Sequence, residues 1–250
     1  MPYPTNFLKQ VILRLDYAPV ATLRSEKQPA LSSQLKERFP VVRGQQLAQI
    51  IFSAGVSAGA SFEQQKMGWQ WLHSDMDDHR VVTLTPEFFA LEYKGRDAYK
   101  NFAEFRTELV EVYGKFKAAY GVTEYTRIGL RYINEISIPE GEALDWDGLI
   151  SADLITGIKP LFAEPLRMTR SMHQISGIKD DISCLINYGL NNPDYPNPIA
   201  RREFVLDLDS YIEGGIAEAE AMRKIDSLYA VCKQMFETSI GAGLRQRMGN

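Results

Sequence analysis

The chain has 250 residues, 45% hydrophobic and 24% charged, and 28 basic against 32 acidic side chains leave a net charge of −4. That balance excludes a general nucleic-acid coat and a polybasic membrane binder, and no apolar run reaches the ~20 residues of a membrane span. The start, Met1-Pro2-Tyr3-Pro4, has no signal-peptide pattern, and Cys184 and Cys232 alone make neither a disulfide framework nor a metal site, so a cytoplasmic location is expected.

The first predicted strand is Val11–Leu15, within a basic segment: residues 1–43 carry +4 and the remainder −8. Such asymmetry fits a solvated surface paired with acidic segments, or a self-complementary dimer contact, better than a nucleic-acid surface. Gly55-Val56-Ser57-Ala58-Gly59-Ala60-Ser61 is rich in small residues and reads as a loop. A strand at Trp69–Leu72 and another at Val81–Pro86 flank His73-Ser74-Asp75-Met76-Asp77-Asp78-His79. His73, Asp75, Asp77 and His79 are metal-ligand types, although their spacing matches no established motif. A solvated hairpin turn explains the same residues more simply. Phe88–Tyr93 is the next strand. Asp97 is then placed to cap a helix running over 97–120, with Phe102, Phe105, Leu109, Val112, Tyr113, Phe116 and Tyr120 as its apolar stripe and Gly121 as its stop.

Thr126–Ile136 alternates cleanly. Ile128, Leu130, Tyr132 and Asn134 share one face, and Arg127, Gly129, Arg131 and Ile133 share the other. The pattern weakens between Pro139 and Pro165, although Leu149, Ile150, Leu154, Ile155 and Ile158 require burial. His173 falls in a strand over 169–176. Two strands, 181–188 and 202–209, flank the turn-forming loop 191–198. Glu213-Gly214-Gly215 breaks the chain before a second helix over 216–240, whose stripe of Ile225, Leu228, Tyr229, Cys232, Met235 and Phe236 ends at Gly241. In the late strand Asp207 and Asp209 share a face, opposite Phe204, Leu206 and Leu208. They can pair with Arg127 and Arg131 if the strands are neighbours. These four residues are either a small-anion site or a structural charge ladder.

The fold class expected is α+β: two helix-on-antiparallel-sheet halves, 1–138 and 139–250, built as a possible duplication sharing one continuous sheet in one compact unit. Phosphate loops, dinucleotide loops and nucleophile elbows are missing from the sequence, and no cofactor is called for. The function expected is therefore a non-enzymatic binding or regulatory protein, meeting a protein partner, a second copy of itself or a small ligand through its sheet and loops. Regions 191–198 and 53–61 are the candidate contact loops. A metal-dependent hydrolase or nuclease using His73–His79 is the alternative, and a ligand pocket between the halves, with Arg131 in it, is a third.

Several segments together resemble one family. They are Tyr3-Pro4 before the first strand, Trp69-Gln70-Trp71, Arg127-Ile128-Gly129-Leu130-Arg131-Tyr132-Ile133-Asn134, and Phe236-Glu237-Thr238-Ser239-Ile240 near the C-terminus. The family is a sporadically distributed set of uncharacterised bacterial proteins of about this length. The resemblance spans nearly the whole chain and implies a mobile-element or defence-linked setting, with no activity to carry over. Tyr229 stands where that family leads one to expect a histidine.

Overall fold

The computed structural model describes residues 3–24, 29–55, 59–158 and 167–249. Among these residues nine strands form one antiparallel sheet. They are β1 (Leu8–Asp16), β2 (Val41–Gly55), β3 (Gly59–Ser74), β4 (Arg80–Leu84), β5 (Phe88–Lys94), β6 (Glu124–Ser137), β7 (Ser171–Lys179), β8 (Ile182–Leu190) and β9 (Glu203–Ala217). Among the described residues five α-helices accompany them: α1 (Leu31–Leu35), α2 (Phe102–Tyr120), α3 (Ala152–Ile155), α4 (Ala221–Ser239) and α5 (Ala242–Arg247).

The strand order β2-β3-β4-β5-β1-β6-β9-β8-β7 contains the same construction twice. A first strand is set aside, a short helix follows, the next strands form a meander, and the last of them returns beside the first before a 19-residue helix crosses the sheet. In one half the set-aside strand is β1, closed by β5. In the other it is β6, closed by β9. The halves meet where β1 pairs with β6, with Leu13 opposite Leu130. In this pattern β6 opens the second half, so the repeat divides at Gly121, upstream of the 138/139 seam read from the sequence.

One face of the sheet carries both long helices. Val11, Leu13 and Leu15 of β1, Ile128 and Leu130 of β6, and Phe204, Leu206 and Leu208 of β9 face them and are buried. Burying such side chains contributes about 1.5–3 kcal/mol each before the entropy of ordering them. The α2 stripe is buried as predicted from Phe102 through Phe116. The predicted start of this helix at Asp97 is corrected. Asn101 is the cap, its Oδ1 accepting from Glu104 N at 2.9 Å, while Asp97 stays in a turn. Gly121 ends the helix with φ 62°, in the left-handed region.

Three further expectations need correction. Glu213-Gly214-Gly215 does not break the chain: β9 continues to Ala217, and the glycines form a bulge where pairing shifts from Arg127↔Glu213 to Tyr125↔Ile216. Gly214, at φ 122°, supplies the backbone that this extra residue needs. The second long helix accordingly spans 221–239. Gly241, predicted as a stop, caps α5 and docks on residues 148–149, its N–H donating to Leu149 O at 2.7 Å. Finally, residues 53–55 and 59–61 of the predicted small-residue loop belong to β2 and β3, and 56–58 lie outside the described residues. Leu149, Ile150, Leu154, Ile155 and Ile158 are buried, as their pattern required.

Candidate functional site

The two long helices run antiparallel along a shared seam. Phe102 stacks on Tyr229 at 3.8 Å with ring planes 6° apart. Arg106 binds Asp226 through two hydrogen bonds of 2.6 and 2.9 Å, and Lys117 reaches Glu218 at 2.9 Å. The register has a consequence. α2 begins at Phe102, opposite Tyr229, but α4 continues to Ser239. Sheet surface beneath the last turns of α4 is thus left without α2 above it, and the N-terminal segment and Met248 close it from the sides.

What remains is a cavity of about 490 Å3, within the size range of small-molecule sites. Its floor is Leu8, Tyr132, Asn134 and Leu208, on the helix-bearing face. Six aromatic side chains line it: Tyr3, Tyr99, Phe102, Tyr132, Tyr229 and Phe236. The Tyr99 and Tyr132 hydroxyls lie 2.9 Å apart. Asn134 is buried and donates to Leu206 O at 3.1 Å, leaving its Oδ1 without a hydrogen bond among the described residues. Burial holds the Tyr99, Tyr132 and Tyr229 phenols above their ordinary range, so all three stay protonated near neutrality. Burial likewise pushes the Cys232 thiol up to about 12, and its sulfur sits 3.1 Å from Ser210 Oγ. Lys100, Arg106 and Lys233 are the cations of the lining and Glu237 its carboxylate.

The sequence-predicted residues lie elsewhere. Arg127, Arg131, Asp207 and Asp209 share the opposite face of the sheet, because each alternates with a cavity-side or core-side neighbour. Arg131 forms a bidentate pair with Asp207 at 2.6 and 2.7 Å, and Asn187 Nδ2 adds a bond to the same carboxylate at 3.2 Å. Arg127 lies over the Tyr211 ring at 4.6 Å and reaches Asp209 at 3.4 Å. Gly129 permits this, since a Cβ there would sit 2.7 Å from the Arg127 guanidinium. Burial raises the Asp209 carboxyl, and Arg127 and Arg131 oppose that. The placement of Arg131 in a pocket between the halves is therefore corrected: the pocket exists, but on the other side of the sheet.

Residues 75–79 of the histidine segment are a hairpin turn between β3 and β4, while His73 and Ser74 end β3 and pair with Val82 and Val81. Asp75 Oδ1 accepts from the backbone N–H groups of His79 and Arg80 at 2.8 and 3.2 Å, as a turn aspartate does. Asp78 pairs with Arg43 and Lys94. His73 points inward, fully buried, with Nε2 2.6 Å from Ser32 Oγ, and burial lowers its pKa to about 4. Asp77 and His79 are exposed. His73 and His79 do not converge, and among the described residues no group of three or more metal-ligating side chains is placed to hold an ion. His173 stacks on Tyr188 at 5.3 Å.

The cavity itself was missed from sequence because its walls come from six separate stretches. The usable signal was Tyr132 and Asn134, polar-tipped residues on an otherwise apolar face. Among the described residues no helix is long and apolar enough to cross a membrane. Comparison with family models and with curated proteins finds no match for this chain.

Proposed function

We propose that this chain is a non-enzymatic binding protein, regulatory in role, that holds a small and largely apolar molecule in the cavity between α2 and α4. The observation that carries this is the aromatic lining of a 490 Å3 space at a point where helix register leaves the sheet uncovered. Ligand sites of this kind are mostly apolar with a few convergent polar groups, and here those groups are the Tyr99–Tyr132 hydroxyl pair, Asn134 and Lys233. Binding is favoured over catalysis because the phenols and the Cys232 thiol are held far from neutral pKa values, where general acid–base work at pH 7 is inefficient. The setting proposed is the bacterial cytoplasm, within the sporadic family that the sequence resembles. A protein partner or second copy then meets the occupied form, with the 191–198 loop and its exposed Tyr195 as the contact.

The test uses the full chain and a panel of apolar small molecules. Ligand at about one hundred times its Kd stabilises the folded state by about 2.7 kcal/mol, a shift of several degrees in Tm. Ala103 is exposed on the first turn of α2 and lines the cavity, so Ala103→Trp should fill the mouth, keep the fold and abolish the shift. A wild-type protein stabilised by none of the panel, or a variant that responds as wild type does, overturns the reading.

A further inference from the structure

We infer that the molecule held in the cavity is an aromatic carboxylate, its ring against the aromatic walls and its anionic end taken by the Tyr99–Tyr132 pair and Lys233. This rests on the cavity being a ligand site and adds the chemistry of its occupant. The argument comes from two tyrosine pairs along the same α2–α4 seam. At the closed end Tyr125 donates to the Tyr113 hydroxyl at 3.0 Å, Tyr113 donates to Glu218 Oε1 at 3.1 Å, and Lys117 Nζ lies 2.9 Å from that same oxygen. Both phenolic hydrogens of that pair end on an acceptor, and a lysine balances the carboxylate that terminates the relay.

At the cavity end the same set is one member short. The Tyr99 and Tyr132 hydroxyls are 2.9 Å apart. They carry two hydrogens between them, and their mutual bond uses one. The other has no acceptor among the described residues. Lys233, an exposed residue at the rim of the cavity lining, has no carboxylate within ion-pair distance among the described residues. Glu237 does not fill the gap, because it accepts from the Tyr3 hydroxyl at 2.9 and 3.0 Å and from Arg245 at 3.4 Å. Arg106 is likewise committed to Asp226. A phenol pair and a lysine without their carboxylate, beside an aromatic chamber, are complementary to a molecule that brings an aromatic ring and a carboxylate together.

Isothermal titration of the full chain with 2-naphthoate and with 2-naphthamide tests this, since the two probes have nearly one shape and differ in charge. The expected result is naphthoate tighter by at least about tenfold, the size of one hydrogen bond to a charged group. Lys233→Gln should weaken naphthoate about fivefold and leave naphthamide unchanged, and Ala103→Trp should abolish both. Equal affinity for the two probes overturns the carboxylate assignment while leaving the cavity as the site. Unchanged naphthoate affinity in Lys233→Gln overturns the role given to that lysine. Undiminished binding of both probes in Ala103→Trp, or no binding of either by wild type, overturns the cavity reading itself.

Discussion

Replacing Arg131 by alanine distinguishes a structural charge ladder from a ligand-binding one. Asp207 is buried, its side chain only 9% exposed, and two of its three hydrogen bonds come from Arg131, whose own side chain is 43% exposed. Removing one partner of a fully buried pair costs about 3–5 kcal/mol because the other charge is stranded. Half-exposure of the arginine and the surviving bond from Asn187 reduce this, so about 2–3 kcal/mol is expected. For a chain of this size that is a fall in Tm of about 5–10 °C. Arg131→Lys keeps the charge but loses the fork, and should cost roughly half as much. Urea unfolding of both variants and of Asp207→Asn, assembled as a double-mutant cycle, measures the pair directly. Naphthoate binding should survive in Arg131→Ala, because the cavity is on the other side of the sheet. A loss below about 0.5 kcal/mol, or loss of the probe in a variant that remains folded, refutes this assignment of the two faces.

His73 has a folded pKa of about 4 against an ordinary value of 6.5. The unfolded chain therefore takes up a proton that the folded one refuses: stability is complete above about pH 6.5 and declines as pH falls toward 4, by up to about 3 kcal/mol. His73→Asn should flatten that part of the stability–pH curve relative to wild type, and parallel curves would exclude the effect. Tyr229→Ala removes the ring stacked on Phe102 and a wall of the cavity, and should cost about 3 kcal/mol by thermal unfolding. Tyr229→His, which installs the residue expected from the family resemblance, retains a planar ring and should cost about 1 kcal/mol; equal losses for the two would show that stacking is not what Tyr229 contributes. In Gly241→Ala the new Cβ would meet the Gly148 carbonyl oxygen at 2.2 Å, so at least about 2 kcal/mol should be lost in urea melts, and a neutral result would show that the 148–150 segment moves freely.

The elements were legible wherever one periodicity ran unbroken. The α2 stripe and the alternation of Ile128, Leu130 and Tyr132 against Arg127 and Arg131 are local patterns, and both appear in the fold. Boundaries were lost where a residue had two uses. Asp97 and Asn101 can both cap a helix, but Tyr99 must stay outside it to lay its hydroxyl on Tyr132, and that selects Asn101. Glu213-Gly214-Gly215 has the composition of a break and acts as a bulge, because β6 continues to offer pairing up to Ala217. That Arg127 and Arg131 share one face of their strand, and Asp207 and Asp209 one face of theirs, was readable from spacing; that the two strands are neighbours, which makes the four a ladder, was not. The cavity was not, because residues as distant as Tyr3 and Glu237 meet only through strand register and the offset of two helices.

The set-aside strands impose an order on assembly. Among the described strands β1 comes earliest, yet its neighbours are residues 88–94 on one side and 127–134 on the other. One edge must wait for more than a third of the chain and the other for about half of it before it can be paired, and the far edge of β6 waits in turn for β9. Sequence separations of this kind slow folding through the entropy of closing long loops. The central β1–β6 ladder of the finished sheet thus cannot close before residues 127–134 are made, and until its partner strands arrive the apolar side chains of β1 are exposed to any chaperone or stray neighbour that finds them first.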